Sequence, residues 1–148
     1  MYSYSTIVVG TDGTDTAEIA VRHAAALARA FEAKLIIACG SYGNSGSLLN
    51  SPNREVSTLP VVSEELAQEY LTSAFAVAKD EGVADIELEC ISATPVDALL
   101  TCVDEHDADA VVVGNQGVNS LTGRVFGNIP TETARRSTVD VVLVNTQR

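Results

Sequence analysis

Short apolar runs rich in β-branched residues alternate along the chain with stretches of helical spacing. Residues 5–11 (S-T-I-V-V-G-T), 34–40 (K-L-I-I-A-C-G), 111–113 (V-V-V) and 140–145 (D-V-V-L-V-N) are nearly continuous in apolar character. Runs of that length and composition predict strands covered on both faces, as in a parallel sheet. Residues 86–91 (I-E-L-E-C-I) instead alternate, which predicts an edge strand with its glutamates facing outward.

Between these runs the period changes to that of a helix. Ala17, Ala20, Val21, Ala24, Leu27, Ala28 and Phe31 form one stripe, with Glu18, Arg22 and Arg29 opposite. Thr14 or Asp15 suits the N-cap, and Glu18 is spaced for a capping box from Asp15. A second helix over 63–81 has Ser63 as its cap, Leu66, Tyr70, Ala74, Val77 and Ala78 as its stripe, and Gly82 just past its end. Thr94-Pro95-Val96-Asp97 starts a third helix, with Val96, Leu99, Leu100 and Val103 inward. A fourth runs over 128–136. The order β-α-β, a long loop, then α-β-α-β-α-β predicts a single α/β domain over residues 1–148. Its core is a doubly wound, five-stranded parallel sheet with helices on both faces. The loop, residues 41–60, is rich in Ser, Gly, Asn and Pro, and reads equally as a lid or a tolerated insertion.

Composition narrows the function. A chain of 148 residues with 46% hydrophobic and 20% charged residues buries its own core. Nine Lys and Arg against twenty Asp and Glu give a net charge of -11, which argues against a nucleic-acid-binding surface but not against one bound nucleotide. No apolar run approaches the roughly 20 residues of a membrane helix, and the N-terminus lacks a basic leader, so a cytoplasmic protein without membrane attachment is expected. Cys39, Cys90 and Cys102 form no C-x-x-C pair, and two lie in predicted strands, so buried reduced thiols are expected.

The chemistry concentrates in residues 110–129, A-V-V-V-G-N-Q-G-V-N-S-L-T-G-R-V-F-G-N-I. A glycine-bearing loop between a strand end and a helix start can aim several backbone N–H groups at one anion. Gly114 and Gly117 allow a sharp turn and close approach, and Gly127-Asn128 opens the last helix at its positive end. Asn128 can hydrogen-bond a phosphate or simply cap the helix. The segment has no lysine and no Gly-Lys-Ser/Thr, so it is not a Walker A loop, and the first strand ends in T-D-G-T rather than a G-x-G-x-x-G turn. Arg124 is the one cation inside the loop. With strand order 3-2-1-4-5, Asp12 and the glycine loop line one crevice at the point where the order reverses, with Cys39 at its far wall. Asp12 is either an Asx-turn residue or an acceptor for ribose hydroxyls. His23 and His106 read as structural or surface residues, Cys102 as a candidate exposed thiol. No nucleophile elbow, metal-ligand histidine pair or Cys–His signature is present, so no catalytic or metal residue is assigned.

V-V-G-T-D-G-T at the first strand, A-D-A-V-V-V-G-N-Q-G at the fourth, a G-x2-G-x9-G loop, T-P-V-D-A-L-L and the ending V-D-V-V-L-V together resemble the universal stress protein family. The resemblance covers essentially the whole chain. It implies the 3-2-1-4-5 sheet, an adenine nucleotide (ATP, with Mg²⁺, or cyclic AMP) across strands 1 and 4, and a homodimer. It implies that Asp12 contacts ribose, that Gly114, Gly117 and Gly127 carry the phosphates, and that Val113 and Cys39 flank the adenine. Thr11, Asn128 and Ile129 complete the implied site. Asn128 stands where the family carries Ser or Thr, and Ala93 where a glycine is common. The homodimer has its own motive: Val141, Val142, Leu143 and Val144 form an edge without inward charge or proline. Nucleotide sensing or sequestration with little turnover is the leading expectation. A slow Mg-dependent ATPase and a non-nucleotide interaction module are the alternatives.

Overall fold

The computed structural model of the chain describes residues 1–43, 61–115 and 128–147. In chain order its elements are β1 (Thr6–Gly10), α1 (Asp15–Phe31), β2 (Lys34–Gly40), α2 (Glu64–Asp80), β3 (Ile86–Ile91), α3 (Pro95–His106), β4 (Ala110–Gly114), α4 (Asn128–Arg136) and β5 (Asp140–Val144). All strand pairs are parallel and the order is β3-β2-β1-β4-β5, the doubly wound sheet expected from the alternation of periods. Most of the loop over residues 41–60, from 44 onward, lies outside the described residues.

The two faces follow from strand parity. Ile7, Val9, Leu35, Ile37, Cys39, Ala110 and Val112 point into a cluster completed by α1 and α2. The residues between them, Val8, Ile36, Ala38, Val111 and Val113, meet Leu99, Cys102 and Val103 of α3, against which α4 also packs. Each β-branched run therefore feeds two cores at once, which explains its lack of alternation.

Several side chains depart from expectation. Thr14, rather than Asp15, caps α1: its Oγ1 accepts from the Ala17 N–H at 3.2 Å, leaving Asp15 inside the first turn. In α2 the buried arc is Ala67, Leu71, Ala74 and Ala78, while Leu66, Tyr70 and Val77 are only half-buried. The arc is rotated because small alanines let the helix sit close to the sheet. Phe31 is exposed and rests edge-on against Tyr4, ring centroids 5.1 Å apart. In α3 Cys102 is fully buried and takes the place expected of Leu100, so it is not an exposed thiol.

The glutamates of β3 do not face free solvent either. Their register with Ile36 and Ala38 puts Glu87 and Glu89 on the face that α3 covers, where both meet His106. Gly82 follows α2 with φ of 93°, the left-handed conformation expected just past a helix end. Among the described residues no helix is long and apolar enough to cross a membrane.

Candidate functional site

β1 and β4 are neighbours at the point where strand order reverses, and in an open α/β sheet ligands bind in the crevice beyond the carboxyl ends of such strands. At its β1 side the chain turns within T-D-G-T. The Thr11 N–H donates to Ala38 O at 2.9 Å, so the chain still follows β2 as it leaves the strand. Thr11 Oγ1 accepts from the Gly13 N–H at 3.2 Å. Asp12 Oδ1 accepts from the Thr14 N–H at 3.0 Å and from the Thr14 hydroxyl at 2.5 Å. Asp12 is therefore an Asx-turn residue in this structure, holding the α1 cap in place. Among the described residues its hydrogen bonds all fall on Oδ1, and the side chain is exposed.

Gly13 is required where it stands. Its φ is 81°, and a Cβ there would come within 2.3 Å of the Tyr70 ring. Tyr70, from α2, thus lies across the turn, and with Thr11, Thr14, Ser73 and Val77 it lines a shallow hollow beside it. Tyr42, just past β2, is the second aromatic of this corner, bridged in antiparallel fashion to Val62. Burial pushes its phenol above the ordinary range, and the nearby Asp12 carboxylate, Cys39 and Tyr70 add to the effect. Sequence reading named neither tyrosine as a site residue. Tyr42 stands only two residues beyond a strand end on the crevice side, which is the signal that could have found it.

Cys39 is buried at the end of β2, and its thiol is pushed up to about 12, by burial first and then by Cys90 and Asp12. It is a neutral wall, suited to an uncharged ring. Thr11, Asp12 and Cys39 come together at this end of the sheet. Val113 does not join them through its side chain. Cys39 belongs to the face covered by α1 and α2, whereas Val113 is buried on the α3 face.

On the β4 side the chain is clamped to the strand beyond. Asn115 N–H donates to Val144 O at 2.9 Å, and Asn115 Oδ1 accepts from the Thr146 N–H at 3.0 Å and its hydroxyl at 3.3 Å. A Cβ on Gly114 would meet Thr146 Cγ2 at 2.7 Å. The bare Cα of Gly114 thus accommodates Thr146. Gly117, Arg124 and Gly127 lie outside the described residues, as does the side chain of Asn128.

α4 begins at Asn128, with Ile129 half-buried and Pro130 buried. The other three helices carry carboxylates in their first turns (Asp15 and Glu18; Glu64 and Glu65; Asp97), and α4 carries none. Its positive end is thus not neutralised from within, although Pro130 removes one of the free N–H groups.

Among the described residues one group has a metal-ligating donor set, at the opposite end of the sheet. His106 Nε2 is 2.9 Å from Glu89 Oε1 and 3.4 Å from Glu87 Oε2. Lys34 Nζ holds the other Glu87 oxygen at 2.9 Å, so a cation already serves this cluster.

Comparison with known proteins gives a consistent picture. A sequence model of the universal stress protein family matches residues 3–145. Universal stress protein Rv1636 of Mycobacterium tuberculosis is 38% identical over 152 residues, covering 99% of each chain. A crystal structure of a universal stress protein in complex with cAMP is 37% identical, covers 99% of this chain and 100% of its own, and superposes with a TM-score of 0.76. A universal stress protein from Archaeoglobus fulgidus in complex with dAMP is 23% identical, covers 97% of this chain and 100% of its own, and has a TM-score of 0.70. At that identity the likeness speaks for the fold alone.

Proposed function

The chain belongs to the universal stress protein family, and from that premise we propose that it binds an adenine nucleotide in the β1–β4 crevice and holds it without turnover. The observation that carries the reading is the likeness, over almost the full length of both chains, to a relative whose crystal structure is in complex with cAMP. In the proposed complex Asp12 keeps Oδ1 for its own turn and offers Oδ2 to ribose hydroxyls. Cys39 and the backbone of Val113 flank the adenine, while Thr11 and Ile129 line the approach. Backbone N–H groups at Gly117, Gly127 and the start of α4 receive the phosphate.

Cyclic AMP is the ligand we favour over ATP. The first turn of α4 has lost a donor to Pro130, and Asn128 replaces the hydroxyl residue of the family's loop, so the cradle suits one phosphate better than three. ATP would bring Mg²⁺ with its own phosphates. Among the described residues, with Asp12 given to its own turn and to ribose, none is left as a general base, and the Cys39 thiol is held neutral, which favours retention over hydrolysis.

Titration calorimetry with cyclic AMP and with ATP, with and without Mg²⁺, tests the proposal. Micromolar binding of cyclic AMP, weaker binding of ATP and no released phosphate are expected. Gly117→Val should abolish binding while leaving the melting temperature nearly unchanged. Failure of both nucleotides to bind at millimolar concentration overturns the reading.

A further inference from the structure

Two of the three cysteines face one another across adjacent strands. Cys39 of β2 and Cys90 of β3 are register partners. Both side chains belong to the face covered by α1 and α2, Cys39 inside the core cluster and Cys90 half-buried against it. All three cysteines are free thiols. Cys102 lies in the other cluster, beneath α3, fully buried.

Register partners on neighbouring strands sit about 4.8 Å apart. That is inside the roughly 4.4–6.8 Å between Cα atoms that a disulfide spans. The two Cβ atoms project the same way, so bond closure asks them to draw in to about 3.8 Å. β3 is an edge strand, paired among the described residues with β2 alone, so it can make that adjustment without straining a second ladder. A bond closed under such tension is more easily reduced than a relaxed structural one, which is the property of a regulatory disulfide.

We propose that Cys39 and Cys90 are a peroxide-responsive thiol pair that closes reversibly into a disulfide linking β2 to β3. The inference does not rest on the nucleotide reading. Cys90, the more accessible thiol, reacts first: as thiolate it takes one oxygen of hydrogen peroxide to become a sulfenic acid, and the other oxygen leaves as water after protonation. The Cys39 sulfur then attacks the Cys90 sulfur. The S–S bond forms, the S–O bond breaks, and the Cys39 proton departs with that oxygen as a second water. Two electrons pass from two thiols to one peroxide. Burial, which pushes the Cys39 thiol up to about 12, keeps it from reacting with peroxide directly, so its oxidation waits on the Cys90 sulfur beside it and quickens as pH rises.

The full chain, reduced and desalted, would be treated with hydrogen peroxide, blocked with N-ethylmaleimide and digested before aspartates, which separates Cys90 from Cys102 at Asp97. Mass spectrometry should find a peptide linked between Cys39 and Cys90, with far-UV circular dichroism unchanged and both thiols restored by a reductant. Cys39→Ser and Cys90→Ser should each abolish the linked peptide, and Cys102→Ala should retain it. A Cys90 oxidised to the sulfinic acid without linkage, a bond between two copies of the chain, a bond to Cys102, or linkage only in urea would each overturn the proposal.

Discussion

Gly114 illustrates how one missing side chain joins the candidate site to the end of the chain. A Cβ there would lie 2.7 Å from Thr146 Cγ2, well inside van der Waals contact, and Thr146 is held in place by two hydrogen bonds to Asn115 Oδ1. Gly114→Ala should therefore cost about 1–3 kcal/mol of stability, the usual penalty for overpacking a close contact. Thr146→Ser removes the obstructing methyl and keeps the hydroxyl that Asn115 accepts, so the double variant should recover most of the loss. Urea unfolding of the four proteins completes the double-mutant cycle, and additive losses would show that the clash is not the cause. This contact is illegible in the sequence, where Gly114 reads only as a strand end facing a ligand. Strand parity, in contrast, is legible. Counting by twos carries Val111 to Val113 and Ile37 to Cys39, and the register on β1, where Val8 pairs with both Val111 and Ile36, then puts the two on opposite faces. Tyr70 and Cys102 were misjudged for a different reason: a helix stripe leaves its rotation open by about one residue, and the sheet beneath settles it.

The edge strand β3 shows what an element does with its exposed flank. Glu87 is bound to Lys34 Nζ at 2.9 Å and lies 3.4 Å from His106 Nε2, with Glu89 at 2.9 Å from the same imidazole nitrogen and Asp85 just before the strand. The hydrogen bond from Lys34, with the charges of Lys34 and His106, holds the Glu87 carboxyl below its ordinary range. The hydrogen bond and charge of Glu87 raise Lys34 in turn, with a smaller push from Asp85. The signs define a window. A depressed carboxyl contributes stability that is fully present above its unfolded pKa, about 4.3, and lost as pH falls through the folded value. A raised ammonium contributes stability present below about 10.4 and lost as pH rises through the folded value. Urea midpoints of the wild type should therefore fall at both extremes, and Glu87→Gln should flatten both limbs. An unchanged acid limb would show that other carboxylates dominate it. The strands themselves were the most legible elements because β-branched runs have a single reading in a parallel sheet. The alternating run at β3 was read correctly as an edge, but its glutamates meet Lys34 and His106, partners from β2 and α3 that no local pattern reveals.

At the scale of the whole molecule the two sheet edges are unequal. β3 guards its margin with the charges of Glu87, Glu89, Lys34 and His106, whereas β5 is D-V-V-L-V with Leu143 58% exposed and Val141 and Val142 half-buried. An unpaired apolar edge is a template for another strand, and the partner available at every concentration is a second copy of the chain. Pairing of β5 with β5 around a two-fold axis would extend the sheet across both copies and close the edge. The opposing force is electrostatic: each chain carries a net charge of -11, so the copies repel at long range, and salt screens that repulsion over about 10 Å at 0.1 M. We therefore propose a homodimer through Val141, Val142, Leu143 and Val144 that tightens as salt is raised, the reverse of an interface held by ion pairs. Light scattering at tens of micromolar should give twice the chain mass of 15.5 kDa, with the dissociation constant falling between low and moderate salt. Leu143→Lys places a cation on the edge without touching either core, and should yield a folded monomer with unchanged far-UV circular dichroism. Because Asn115 and Thr146 tie the exit of β5 to the end of β4, the same variant also tests communication between the edge and the crevice. Nucleotide affinity that moves with the monomer–dimer equilibrium would establish coupling, and affinity that stays constant would confine the dimer to closing the edge. A wild-type chain that remains monomeric across this salt range would remove the dimer altogether.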